Sequence, residues 1–186
     1  MVYNIMMMRL ILIFISLFLW FGSGVKAKES VKVEAISPAP AIISDYTLPY
    51  PGLLPDHPLY SLKVLRDKIL IWFTKDDVKL VELNLLMADK RLKMGEVLFE
   101  KGNKELALST ISKGEKYFGQ AVYRLRTMKN TSKESVNVLQ EKLARSSVKH
   151  KEVVMNLMKN DKDREKGWKK ILDLVEEIQI ELVRLK

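Results

Sequence analysis

The distribution of proline constrains the fold of this chain more than any other feature. All six prolines lie between Pro38 and Pro58, and none occurs in the 128 residues that follow. Proline has no backbone N–H to donate, and it disfavours the helical conformation in the residue before it. We therefore expect an extended segment around the prolines, and long helices joined by short connectors after Pro58.

Residues 1–27 have the pattern of an export signal. Arg9 precedes a largely apolar run of 12 residues, Leu10–Phe21, and Val25 and Ala27 occupy the positions that a signal peptidase reads. The run is shorter than the roughly 20 residues that a membrane span needs. We therefore predict a signal peptide that is cleaved after Ala27. The alternative is a retained leader, which would hold the protein at a membrane.

Two segments of different composition separate the leader from the helical part. Residues 28–44 mix charged and small residues with no helical period, which predicts a flexible linker. Residues 45–58 are rich in proline but also apolar, and we call them the strap. We expect the extended strap to cross the surface of the helices and to bury Leu53, Leu54 and one of its tyrosines. The rival interpretation is a free strap that serves as a proline-rich ligand for a partner.

Residues 59–186 are predicted to form a helical bundle. A short first helix should run from about His57 to Phe73, with Asp56 as its N-terminal cap. Apolar residues recur along it at steps of three or four: Leu59, Leu62, Leu65 and Ile69.

The starts and ends of four longer helices are marked by capping residues and glycine. Thr74 with Asp77, and Thr131 with Glu134, have the spacing of capping boxes, and Gly102 should end a helix. A further helix is predicted from about Lys104 to Met128, in which Gly114 and Gly119 would permit close helix contact. The last two helices carry regular apolar seams at Val136, Leu139, Leu143, Ser146, His150, Val153 and Leu157, and at Trp168, Ile171, Val175, Ile178, Leu182 and Leu185.

These helices have similar predicted lengths, about 24 to 29 residues or roughly 36 to 43 Å. Because short connectors join them, neighbouring helices should be antiparallel. The predicted fold class is therefore all-α: a short first helix and four long helices in an antiparallel up-down bundle, preceded by the proline-rich extended strap. The regular seam of the last helix could also pair with another chain.

The residue types that carry catalysis or bind metals are sparse. The chain has no cysteine, which excludes disulfides, thiolate metal sites and a lipid attached through cysteine. Its two histidines, His57 and His150, could join Asp56 in a metal site or an acid–base pair. The simpler interpretation makes Asp56 a cap, His57 a first-turn residue and His150 a core histidine with a hydrogen-bond partner. We therefore predict no catalytic, cofactor-binding or metal-binding residues.

The charge of the chain is moderately basic. The formal net charge is +9, and it is +7 without Arg9 and Lys26 of the leader, from 30 basic and 23 acidic residues. Lysine mixed with acidic residues is typical of a solvated helical surface. The alternative is weak attraction to an anionic polymer. That alternative gains if no acidic residues intervene in a cationic face formed by Lys142, Arg145, Lys149, Lys151, Lys169 and Lys170.

Several stretches resemble a family of exported bacterial helical domains of unknown function. They are LPYPGLLPDHPLYSLKVLRDKI (residues 48–69), FT (73–74), ADKRL (88–92) and LARSSVKHKEV (143–153). The resemblance covers roughly residues 46–160, and the absence of a proline just after Thr74 departs from the family pattern. It implies an exported helical domain and carries no catalytic residues.

Together these features predict an exported, non-enzymatic helical interaction module. It would bind a protein partner or itself, in the cell envelope or outside the cell, and it would need no cofactor. The alternative is an electrostatic binder of acidic envelope polymer or extracellular nucleic acid.

Overall fold

The structure is a computed structural model that describes residues 45–129 and 131–185. The predicted signal peptide (1–27) and linker (28–44) lie outside the described residues. Within them the protein is all-helical, with no strand, and its helices pack against one another. One short and four long α-helices follow in order: α1, Tyr60–Phe73; α2, Asp77–Glu100; α3, Lys104–Thr127; α4, Lys133–Lys159; and α5, Glu165–Arg184.

The prediction of an all-α chain with a short first helix and four long ones is thus confirmed. A 3₁₀ turn, Lys162–Arg164, connects α4 to α5. The last helix has 20 residues and is shorter than predicted, because this turn takes up the residues before it.

The predicted N-terminal caps of α2 and α4 are wrong by one or two residues. Asp76 caps α2 by accepting a hydrogen bond from the Lys79 amide, and Ser132 caps α4 by accepting one from the Ser135 amide. Both caps have the extended backbone that the position requires, with ψ of 122° and 143°. Thr74 instead ends α1, because its hydroxyl donates to the Leu70 carbonyl.

The start of α1 also differs from the prediction. No side chain caps this helix, and the Leu59 amide donates instead to Nδ1 of His57, over 3.1 Å. Asp56 forms an ion pair with Lys101 at 3.4 Å. The prolines delay the helix to Tyr60, so Asp56 is too far upstream to act as its cap.

Glycine has different roles at different positions in α2 and α3. Gly102 ends α2 with φ of +82°, as predicted, and the amide of Asn103 then bonds back to Leu98. A Cβ on Gly114 would lie 3.0 Å from the Cβ of Arg91, so this glycine does permit close contact with α2.

The predicted close helix contact at Gly119 is wrong, because a Cβ added there would have no neighbouring atom within 4 Å. Gly95, which packs against Ile111, makes the closest approach.

Two apolar clusters form the core, and each draws on all four long helices. The first contains Val81, Leu85, Ala88, Phe118, Ala121, Val122, Leu125, Leu139, Leu143, Ile178 and Leu182. The second contains Leu92, Ile111, Val153, Val154, Leu157, Trp168, Ile171 and Val175. Every one of these residues is buried, and they include the predicted apolar seams of α4 and α5 apart from half-buried Val136 and Leu185 and the buried polar residues Ser146 and His150. Along each long helix, the residues of one cluster all precede the residues of the other.

Residues 45–59 contain no helix or strand, and they contact the helices through polar groups and through Leu48. Lys63 in α1 donates to the carbonyls of Pro51 (2.9 Å) and Leu53 (3.1 Å). Gly52, between them, has φ of +71°, a conformation that glycine adopts without strain. The expected burial of Leu53 is wrong, because its carbonyl makes the contact while its side chain is 41% exposed. The side chain of Leu54 is half-buried.

Candidate functional site

Five polar side chains form a connected group at the junction of the two apolar clusters. They are Tyr46 before α1, Asp89 in α2, Glu115 in α3, and Ser146 and His150 in α4. We call this group the His150 network. Ser146 and His150 are four residues apart, so they project from the same face of α4. In α2, α3 and α4 alike, the network residues lie between the residues of one cluster and those of the other.

Asp89 accepts three hydrogen bonds in the network. The Tyr46 hydroxyl donates to Oδ2 over 2.6 Å, and the Ser146 hydroxyl donates to Oδ1 over 2.7 Å. Nε2 of His150 lies 3.0 Å from the same Oδ1. A buried carboxylate with this many donors is well compensated for the loss of water.

His150 bridges two carboxyl groups through its two ring nitrogens. Nδ1 lies 2.7 Å from Oε1 of Glu115, and the ring packs edge-on against Phe118 at 4.8 Å between centroids. Burial alone lowers the pKa of His150, but the charge of Glu115 and the hydrogen bonds to Asp89 and Glu115 outweigh it and raise the pKa to about 9. The imidazole is therefore protonated at neutral pH, and both nitrogens donate.

The polar groups around this imidazolium are not all compensated. Within the described part of the chain, Oε2 of Glu115 is buried and has no hydrogen-bond partner. Burial and the hydrogen bond to Asp89 raise the pKa of Tyr46, which keeps its hydroxyl protonated as a donor. Two carboxyl groups thus share one cation, with Ser146 and Tyr46 as the neutral donors.

This geometry does not match that of a hydrolytic triad. In such a triad the serine hydroxyl donates to a histidine nitrogen, which then takes up its proton. Here Ser146 donates to Asp89, and both nitrogens of the fully buried His150 are engaged by carboxylates. The arrangement instead joins α2, α3, α4 and the segment that carries Tyr46.

The structure separates the residues that the sequence put forward as a possible site. His150 is a core histidine with hydrogen-bond partners, as the simpler interpretation expected. His57 and Asp56 are exposed before α1 and contact Leu59 and Lys101. The three residues therefore form no common site.

Sequence reasoning missed both acidic partners of His150. A signal was present, since Glu115 lies four residues after Ile111 and three before Phe118, at the spacing of an apolar seam. Asp89 similarly follows Ala88 and precedes Leu92. A carboxyl group on an inward face calls for a buried partner, and a seam histidine is the obvious candidate.

The cations of α4 that were proposed as part of a polymer-binding face have acidic neighbours. Each of the four lies within 4.0 Å of a carboxylate: Lys142 of Glu82 (3.4 Å), Arg145 of Asp45 (4.0 Å), Lys149 of Glu152 (2.8 Å) and Lys151 of Glu176 (2.8 Å). Acidic residues thus intervene along this surface.

A second candidate site is the outward-facing side of α1. At 100° per residue, Tyr60, Val64, Asp67 and Ile71 share the half-buried or buried inner side. The opposite side is apolar and exposed, and we call it the outer face of α1: Leu62, Leu65, Ile69, Trp72 and Phe73. Trp72 is 80% exposed and Phe73 69%. Single exposed apolar residues are common on protein surfaces, but a continuous set of five is typical of a binding surface.

In residues 45–129 and 131–185, no three histidine or acidic side chains are arranged to hold a metal ion. In the same ranges no helix is both long and apolar enough to cross a membrane.

Comparison with known proteins identifies one family. No curated protein and no solved structure matched the chain. The sequence profile of a family described as a domain of unknown function, DUF5667, matches residues 52–163, which is more than half of the chain. This range contains α1–α4 and every member of the His150 network except Tyr46. The chain therefore belongs to the DUF5667 family.

Proposed function

We propose that this protein is an exported, non-enzymatic interaction module that binds a protein partner, or a second copy of itself, in the cell envelope or outside the cell. The observation that carries the proposal is the outer face of α1. Fully burying one leucine or phenylalanine side chain contributes about 1.5–3 kcal/mol. A partner that covers even part of this face would therefore gain substantial binding free energy.

Weak packing of α1 supports the same assignment. Asp67 is its one buried residue, whereas each longer helix buries at least five. The polar contacts of Lys63 fix α1 to the preceding segment without using its apolar side chains. Within residues 45–129 and 131–185, the side chains of the outer face are thus left exposed and available to a partner.

A photo-crosslinking experiment in the producing cell tests this proposal. A crosslinking amino acid at Leu65 of the full chain should give a discrete protein adduct. The same amino acid at Val138, an equally exposed residue on α4, is the matched control and should not. Absence of any protein adduct at Leu65, or the same adducts at both positions, would contradict the proposal.

The polymer-binding alternative receives less support, because carboxylates accompany the cations of α4. Capture of partners from envelope extract at low and high salt separates the two functions. Polymer binding by surface charge should be lost at high salt, whereas an apolar contact should persist.

We further propose that the four long helices alternate in direction, as an up-down bundle. Support comes from the order of the two core clusters along each helix. Residues of the first cluster precede those of the second in α2 and α4, and follow them in α3 and α5. Such alternation is expected when successive helices run in opposite directions.

We also propose that the strap, residues 45–58, is held against the helices. Its support differs from what the sequence suggested, because Tyr46 and Leu48 make the inward contacts. The Tyr46 hydroxyl donates a hydrogen bond to Asp89, and partly buried Leu48 packs against the second core cluster.

The proposal of export rests on the pattern of residues 1–27. N-terminal sequencing of the exported protein should give a sequence that begins at Lys28.

A further inference from the structure

The spacing of the outer face of α1 is that of a helix-pairing seam. Leu62, Leu65, Ile69 and Trp72 follow one another at steps of three, four and three residues, and Phe73 adjoins the last of them. A 3-4 spacing places side chains in a line that interlocks with a similar line on another helix. The 14 residues of α1 span about 21 Å at 1.5 Å per residue, enough for two heptads of contact.

Positive charge flanks this seam. On a helix of 3.6 residues per turn, Lys68 lies one turn before Trp72 at one edge of the seam. Arg66 lies at the other edge, in line with Phe73 and two turns before it. Asp67 is the one acidic residue of α1, and it faces inward, where it is buried and accepts a 2.7 Å bond from Arg66. Lys63 donates instead to the carbonyls of Pro51 and Leu53 and does not flank the seam. The helix as a whole carries three cations and one anion, a net charge of +2.

The charges argue against two occupants of this face. A second copy of α1 would bring Arg66 and Lys68 against the same cations, and like charges that flank a helix pair oppose pairing. An anionic lipid surface is flat and extends past both ends of α1. Such a surface would approach exposed Asp76, three residues after the helix, and Asp56, four residues before it, which is also paired with Lys101.

We infer that the outer face of α1 pairs with an amphipathic helix of a partner protein whose apolar seam is flanked by glutamate or aspartate. This inference rests on the proposed function and specifies its partner. The partner's apolar side chains would cover Leu65, Ile69 and Trp72, and its carboxylates would lie beside Lys68 and Arg66.

Binding of two designed peptides to the purified full chain tests the inference. Both are fluorescently labelled helices with leucine at 3-4 spacing, one with glutamate and the other with lysine at the flanking positions. Fluorescence anisotropy at low ionic strength measures their affinities. We expect the lysine peptide to bind about three- to tenfold more weakly, from the loss of a few exposed ion pairs.

Three variants assign the binding to this face. Leu65→Ser with Ile69→Ser should abolish binding of the glutamate peptide. Val138→Ser with Val183→Ser, at equally exposed positions on α4 and α5, should leave it unchanged. Lys68→Glu should weaken binding of the glutamate peptide and strengthen binding of the lysine peptide. Circular dichroism melting should show the same fold in every variant, because each altered side chain is exposed.

Other outcomes would overturn the inference, and they separate it from the proposed function. Equal affinity for the two peptides would show that the partner's seam is not flanked by acidic residues. Self-association of the full chain that Leu65→Ser with Ile69→Ser abolishes would identify a second copy as the occupant, and the proposed function would stand. Binding to phosphatidylglycerol vesicles that the same double variant abolishes, without peptide binding, would overturn both.

Discussion

The hydroxyl of Tyr46 donates a 2.6 Å hydrogen bond to Asp89, 43 residues further along the chain. This bond connects a segment outside the helices to the polar layer at their centre. Asp89 in turn accepts from Ser146 and His150, so one carboxyl group joins three parts of the chain.

Tyr46→Phe should lower the free energy of unfolding by about 1–2 kcal/mol. The change removes one hydrogen bond to a carboxyl group. Hydrogen bonds to charged groups typically contribute about 1.5–3 kcal/mol, and we expect a value near the lower end because Tyr46 is only partly buried. Urea denaturation of the full chain measures the effect. Tyr50→Phe is the matched control and should have no effect, because Tyr50 is 83% exposed. Equal effects of the two substitutions would show that the Tyr46 bond contributes nothing specific.

His150 should make stability fall between about pH 6.5 and pH 9. Its pKa is about 9 in the folded chain and near 6.5 in an unfolded one, so the folded state binds the proton more tightly. The contribution is fully present below pH 6.5 and is lost as pH rises through 9. This difference between the folded and unfolded pKa values corresponds to about 3 kcal/mol in the free energy of unfolding.

Comparison of the parent with His150→Gln isolates this contribution. Lys63 acts in the opposite direction above pH 8, because burial lowers its pKa to about 8, and it is present in both proteins. The parent should lose stability relative to the variant as urea denaturation is repeated from pH 6 to pH 9. A constant difference between the two curves would contradict the assignment.

Glu115→Gln should lower the pKa of His150 by about one unit or more. The charge of Glu115 is the largest influence that raises this pKa, and a neutral amide would remove it while keeping a hydrogen-bond acceptor. Titration of the His150 ring signals by NMR measures the change, with the signal of exposed His57 as the internal reference. An unchanged titration of His150 would mean that Glu115 does not govern its protonation.

Gly95→Ala and Gly119→Ala should change stability in opposite directions. A methyl group at Gly95 would overlap the side chain of Ile111 and approach the Ala107 carbonyl to 3.3 Å, so it should destabilise by about 1–3 kcal/mol. Gly119 has open space and lies within α3, where alanine is favoured by about 0.5–1 kcal/mol. Thermal melting of the two variants measures both effects. A stabilised Gly95→Ala variant would show that α2 and α3 are not in close contact there.

The sequence predicted which residues of α4 and α5 face the core, because a long apolar seam on a helix has one inward side. For α1 the same 3-4 spacing predicted a helix but not its orientation. Leu62, Leu65 and Ile69 lie on its solvent side, and nothing in the spacing distinguishes a seam that meets the core from one that meets a partner.

Capping and polar pairing were harder to predict for a different reason. Thr74 and Asp76 are both good capping residues, and the choice depends on where the backbone turns, which the local sequence leaves open. The His150 network depends on residues far apart in sequence. Pairing of His150 with Asp89 and Glu115, rather than with Asp56 or His57, depends on how the helices pack.

The order in which the chain is synthesised has a consequence for Tyr46. The tyrosine is made first and Asp89 follows, but two of the donors that hold this carboxyl group come 57 and 61 residues later still, at Ser146 and His150. A growing chain that has not reached α4 therefore contains Tyr46 and its acceptor without the groups that position that acceptor. The segment that carries Tyr46 is synthesised before all the helices, and we expect it to be among the last parts of the described chain to reach its final position.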